Sequence, residues 1–146
     1  MTSSPFTVRL CRWADAGDAL RRIRYDVFVV EQRVPEALEW DEADADAMHA
    51  LASAAAAAGL PIGCARLLPD GHIGRVAVVR DWRRCGVGTA LMIELIAAAR
   101  SRGDAEAIVN AQLAAMPFYA RHGFVASGAV FEEAGIEHRV MTRSLR

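Results

Sequence analysis

The chain has 146 residues, 53% of them hydrophobic, enough for one domain spanning 1–146 to bury a core without metal or disulfide help. A formal net charge of -1 offers no general attraction to nucleic acid, and no stretch, Met1 to Leu10 included, reads as a signal peptide or membrane span. Cys11, Cys64 and Cys85 are odd in number and lack CxxC spacing, so neither a disulfide framework nor a zinc site is suggested and a reducing cytoplasm is the expected compartment.

Phe6, Val8 and Leu10 alternate with Thr7, Arg9 and Cys11, which predicts a half-buried first strand. Asp15 or Asp18 is placed to cap a helix in which Leu20, Ile23 and Val27 share a face. Pro35 and the acidic segment after it interrupt regular structure. Strands are expected over Met48 to Ser53, over Ile62 to Leu68 and, after a Pro69-Asp70-Gly71 turn, over Ile73 to Val79. The alanine run Ala54 to Ala58 has high helix propensity but is too short to hold a helix alone, and it is assigned to a hairpin turn.

A helix follows in which Leu91, Leu95 and Ala98 recur with helical spacing, closing with Arg100, Arg102 and Gly103. Ala107 to Ala111 is a further strand. Pro117 starts a short helix ending near His122-Gly123, and Phe124 to Phe131 and His138 to Leu145 supply two last strands.

Between the strand ending at Val79 and the helix lies Arg83-Arg84-Cys85-Gly86-Val87-Gly88-Thr89. The first turn of a helix leaves N–H groups without intrahelical partners and carries partial positive charge, so an anion is stabilised there. Gly86 and Gly88 permit close backbone approach, and Arg83 and Arg84 can bond phosphate oxygens. A glycine-rich turn capping a core helix is the alternative. A Walker loop is excluded, since no lysine precedes Thr89, and so is a dinucleotide fingerprint, since Leu91 stands where a third glycine or alanine is needed.

The second motif is Gln112-Leu113-Ala114-Ala115-Met116-Pro117-Phe118-Tyr119, followed by Gly123-Phe124. With Arg83, Gly86 and Gly88, it resembles the signatures of the GNAT superfamily of N-acetyltransferases. Ala115, Phe118, Tyr119, Gly123 and Phe124 stand at the family's offsets, while Gln112 replaces the usual Asn. Arg24, Val27-Phe28-Val29, Glu31-Gln32, Pro35, Glu39, Asp41, Asp44 and His49, with Gly135-Ile136-Glu137-His138 and Met141, are similar to small bacterial ElaA-like members.

The resemblance implies an α/β fold: a mixed, mostly antiparallel central sheet with splayed parallel strands at the cofactor cleft, flanked by helices. It implies acetyl-CoA as cosubstrate; no metal is expected. The pyrophosphate would lie on backbone N–H groups of Arg84, Cys85, Gly86, Val87, Gly88 and Thr89. The pantetheine arm would lie between Val76-Ala77-Val78 and the strand ending at Gln112, near Ala115, Phe118 and Tyr119. Gln112 either reaches that arm or leaves the contact unmade.

The acceptor would be a small-molecule or peptide amine, with no nucleic acid or membrane as partner and a homodimer as a possible assembly. Freeing the lone pair of a lysine-like amine at neutral pH costs roughly 4 kcal/mol, so a base is expected. Tyr119 is the candidate acid for the departing thiolate, the alternative being plain packing. Glu31 is a candidate base or substrate contact, or else a salt-bridge partner for Arg33 or Arg24. His49 and His138 fall on strands that could face the cleft. The six carboxylates between Glu36 and Asp46 either draw cationic amines or form a solvated loop. Rival readings are a CoA-binding module without catalysis and an acyltransferase like the acyl-homoserine-lactone synthases.

Overall fold

A computed structural model describes residues 4–56 and 59–146. Among the described residues, seven strands form two antiparallel sheets. Strands β1 (Phe6–Cys11), β2 (Met48–Ala54), β3 (Pro61–Leu67) and β4 (Ile73–Val78) pair in that order, and the second sheet has the order β5 (Glu106–Gln112), β7 (Ile136–Ser144), β6 (Val125–Glu133). The sheets meet at one parallel bridge, His72 with Ile108, where the Ile108 N–H donates to the Gly71 carbonyl at 3.0 Å. Beyond it β4 and β5 form no ladder among the described residues, so the sheet is forked.

Helix α1 (Trp13–Arg24), continued by a wider π-helical segment from Tyr25 to Glu31, covers one face of the first sheet. Strand register explains which side chains it meets. Leu51, Cys64 and Ala77 lie opposite one another across β2, β3 and β4 and pack with Leu20, Ile23 and Val27. Two residues along, His49 and Arg66 are likewise opposed on this face. The other face carries Ala50, Ala52, Ala65 and Leu67 against Leu91, Met92, Leu95 and Ile96 of α4 (Val87–Arg102).

Several boundaries differ from expectation. Helix α1 starts at Trp13 with Arg12 as N-cap, so neither Asp15 nor Asp18 caps it. Asp15 sits inside the first turn, where its charge still favours the helix dipole. The acidic segment is not loop throughout but holds two single-turn helices, α2 (Glu36–Glu39) and α3 (Ala43–Asp46). Ala54 closes β2, Ala55 and Ala56 form a bend, and Ala57 and Ala58 of the expected turn lie outside the described residues.

The last hairpin is longer than its hydrophobic pattern suggests. Ala134 and Gly135, at φ 53° and 77°, form a tight two-residue connection that carries pairing out to Glu133 and Ile136. Helix α5 (Met116–Arg121) has Pro117 in its first turn, as expected.

Candidate functional site

Beside the fork of β4 and β5 lies a cavity of about 690 Å³, walled by Val76, Gln112, Ala115, Tyr119 and His138, among others. Part of its shape comes from β4 itself. The register slips between Cys64 and Arg66 of β3, and Arg75 takes φ 51°, so Arg75 and Val76 bulge beside a single partner position.

The N-terminus of α4 forms the second half of the site. Gly86 is its N-cap at φ 85°, with no side-chain cap, and Ala90 N–H is the first to bond back, to the Gly86 carbonyl at 3.0 Å. The N–H groups of Arg84, Cys85, Gly86, Val87, Gly88 and Thr89 have no acceptor among the described residues. Arg84, Cys85, Gly86 and Thr89 are exposed, and Val87 is buried beneath them. Such a row of free donors fits a phosphate.

The two glycines have different reasons to be there. A Cβ on Gly86 would meet open space, so its left-handed φ is what requires glycine. A Cβ on Gly88 would lie 3.3 Å from the ring of Phe118, and that ring packs edge-on to Tyr119 with centroids 5.1 Å apart. Phe118 thus joins the helix start to the cavity wall.

Tyr119 is buried, and its hydroxyl bonds no described residue. Burial pushes the phenol up to about 12, so it stays protonated across the neutral range. Gln112 Nε2 donates to Gln32 Oε1 at 3.0 Å, a bridge from the end of β5 to the end of the first helical segment.

Glu31 does not line the cavity. It is ion-paired with Arg83 and, at 3.5 Å, with Arg80, rather than with Arg33 or Arg24. The hydrogen bond from Arg83 holds its carboxyl below the usual range. Arg83 also donates through Nε to the Val78 carbonyl at 2.9 Å, so its side chain points along β4 instead of standing free for phosphate. His49 is buried behind Arg66 and does not line the cavity; its Nε2 donates to the Asp44 carbonyl at 3.0 Å. Cys85 is exposed, its thiol 3.4 Å from the Arg83 carbonyl.

The acidic segment is only partly solvated: Glu36, Glu42 and Asp46 are exposed, whereas Glu39, Asp41 and Asp44 are paired with arginines. Arg24 is 1% exposed and donates to Glu39 at 2.8 Å and to Asp44 at 2.7 Å, between the rings of Trp13 and Trp40. Arg66 bonds both Asp41 and Asp44, and Arg75 Nε lies 2.9 Å from Glu39 Oε2 as an ion pair without hydrogen-bond alignment. Three arginines therefore neutralise these three carboxylates and pin the segment as a cavity wall. The sequence carried one signal for this: Arg66 sits between Ala65 and Leu67 in a strand otherwise apolar enough to be buried, and a buried cation requires a partner.

A forked sheet with free helix N–H donors at one side and a tyrosine-walled cavity at the other defines an N-acyltransferase architecture. The chain belongs to the GNAT acetyltransferase family, whose domain model matches residues 17–145. The uncharacterized N-acetyltransferase YjcF of Bacillus subtilis is 37% identical over 83% of this chain and 87% of its own. An acyl-CoA N-acyltransferase structure from Pseudomonas aeruginosa, 32% identical, superposes with TM-score 0.83 over 95% of this chain and 99% of its own. Escherichia coli ElaA, 28% identical, gives 0.82 over 94% and 99%. No described helix is long and apolar enough to cross a membrane.

Proposed function

We propose that this chain transfers the acetyl group of acetyl-CoA directly to the primary amine of a small molecule or peptide. The observation that carries the reading is the contiguity of two parts. Six unpartnered N–H groups at the start of α4 are joined through Phe118 to Tyr119 on the cavity wall. Arg84 to Thr89 would hold the pyrophosphate, and the pantetheine arm would run along Val76, Ala77 and Val78 toward Gln112 and Ala115. The names of the relatives support the same chemistry.

Tyr119 would donate toward the leaving sulfur. Complete transfer from a phenol near 12 to a thiolate near 8.5 is uphill by on the order of 5 kcal/mol. The hydroxyl therefore serves first as a hydrogen-bond donor, giving up its proton only as it is replaced from the acylated nitrogen. Glu31, fixed by Arg83, is assigned to holding the loop rather than to proton transfer.

The test is a free-thiol assay of CoA release from acetyl-CoA across primary amines, polyamines and peptides, beside calorimetry of CoA binding. Amine-dependent release is expected. Binding without release for any amine would leave a CoA-binding module in its place. Tyr119→Phe should lower kcat about 100-fold or more with little change in KM for acetyl-CoA; equal turnover would remove Tyr119 from the acid role.

A further inference from the structure

We propose that His138 is the general base that takes the proton from the acceptor amine, an inference that rests on the transfer reading above. His138 lies directly opposite Gln112 on β5 and Phe131 on β6. Opposed residues share a sheet face, and for this row it is the face lining the cavity; Glu137 and Arg139, the neighbours along β7, alternate to the other side. The ring stacks on Phe131 with centroids 5.8 Å apart.

Its hydrogen bonds fix which nitrogen works. Nδ1 lies 2.6 Å from the Ile136 carbonyl, which can only accept, so Nδ1 carries the proton and the lone pair is on Nε2. Glu133 Oε2 is 3.6 Å from Nε2, placed to stabilise the imidazolium when it forms. The other candidates are engaged elsewhere: Glu31 by Arg83, His49 by Asp44. His72 shares the cavity but sits at the closed end of the fork opposite Ile108, four residues before Gln112, roughly 13 Å along the strand.

In the step, Nε2 removes a proton from R–NH₃⁺, and the freed lone pair forms the C–N bond to the thioester carbonyl carbon. The C–S bond then breaks, and the thiolate takes the Tyr119 proton. Tyr119 regains one from the acylated nitrogen, and His138 releases its own to water. One amide, one thiol and one proton result.

Glu133 stands beside the His138 ring, and Tyr119 lines the same cavity. Across the cavity stand Asp70 bonded to His72, and Asp41 and Glu39 paired with Arg66 and Arg75. A pH profile therefore reports the cluster as a whole.

The experiment measures kcat of wild type and His138→Gln from about pH 6 to about pH 9.5, with spermidine, benzylamine and a tripeptide as probes. The variant should lose about 100-fold or more at neutral pH, and less as rising pH frees the amine without help, at unchanged KM for acetyl-CoA. Imidazole should restore turnover to His138→Gly, which keeps the test open if His138→Gln folds poorly. Wild-type turnover by His138→Gln, or a loss equal at every pH with no imidazole rescue, overturns the base while leaving the transfer reading intact. If the wild type shows no amine-dependent CoA release, both fall.

Discussion

Glu31 and Arg83 form a two-pronged ion pair, with Arg83 Nη1 and Nη2 at 2.9 and 2.6 Å from the two carboxylate oxygens. The pair ties the end of the first helical segment to the loop that starts α4, and it orients an arginine that would otherwise face solvent beside the free N–H row. Glu31 thus shapes the start of α4 from the end of the first helical segment.

Glu31→Gln is therefore expected to keep kcat within about threefold and its pH profile unchanged, because the base proposed above is His138. KM for acetyl-CoA should move by up to about tenfold as Arg83 is released, and stability by no more than about 1 kcal/mol, the pair being partly exposed. A kcat loss of about 100-fold with a displaced acid limb would return Glu31 to the base role.

Gly86 and Gly88 should respond differently to alanine. At Gly86 there is room, but the φ of 85° makes Ala cost about 1–2 kcal/mol, visible in denaturant melts with kcat little changed. At Gly88 the new methyl presses the Phe118 ring from 3.3 Å, and a displaced ring carries Tyr119 with it. Steady-state kinetics of Gly88→Ala should show kcat reduced about tenfold or more, since small misplacements of reacting groups are costly. An unchanged kcat would show that Phe118 does not position Tyr119.

Replacing Arg24 by Met leaves Glu39 and Asp44 buried beside an apolar chain. Breaking a buried pair in this way costs about 3–5 kcal/mol, so urea unfolding should shift strongly. A loss below about 1 kcal/mol would mean that Arg66 and Arg75 alone neutralise the segment.

Hydrogen bonding from Arg66 holds Asp41 below its ordinary value of 3.8, against a smaller upward push from burial. A carboxyl depressed in the folded state contributes stability above its unfolded value, and that contribution is lost as pH falls through the folded one. Melting temperature should thus drop below about pH 4, and Asp41→Asn should flatten that acid limb while lowering stability at neutral pH by on the order of 1 kcal/mol, discounted for the partial exposure of the carboxylate. An acid limb unchanged in Asp41→Asn would locate the dependence in other carboxylates.

What the sequence determined by itself was local. Alternation over Phe6 to Leu10, helical spacing of Leu91 and Leu95, glycines at Gly86 and Gly103, and Pro117 at a first turn each follow from backbone and burial physics within a few residues, and those elements stand close to where they were read. The order of the two motifs likewise sufficed for the family. Only tertiary structure decided which charges meet. Arg24, Glu39, Asp44 and Arg66 are distant in sequence and are brought together by strand register and a buried helix face. The same holds for Glu31 with Arg83, Phe118 with Gly88, and His138 opposite Gln112: a side chain's partner, and hence its charge state and role, depends on through-space distances that sequence spacing does not encode.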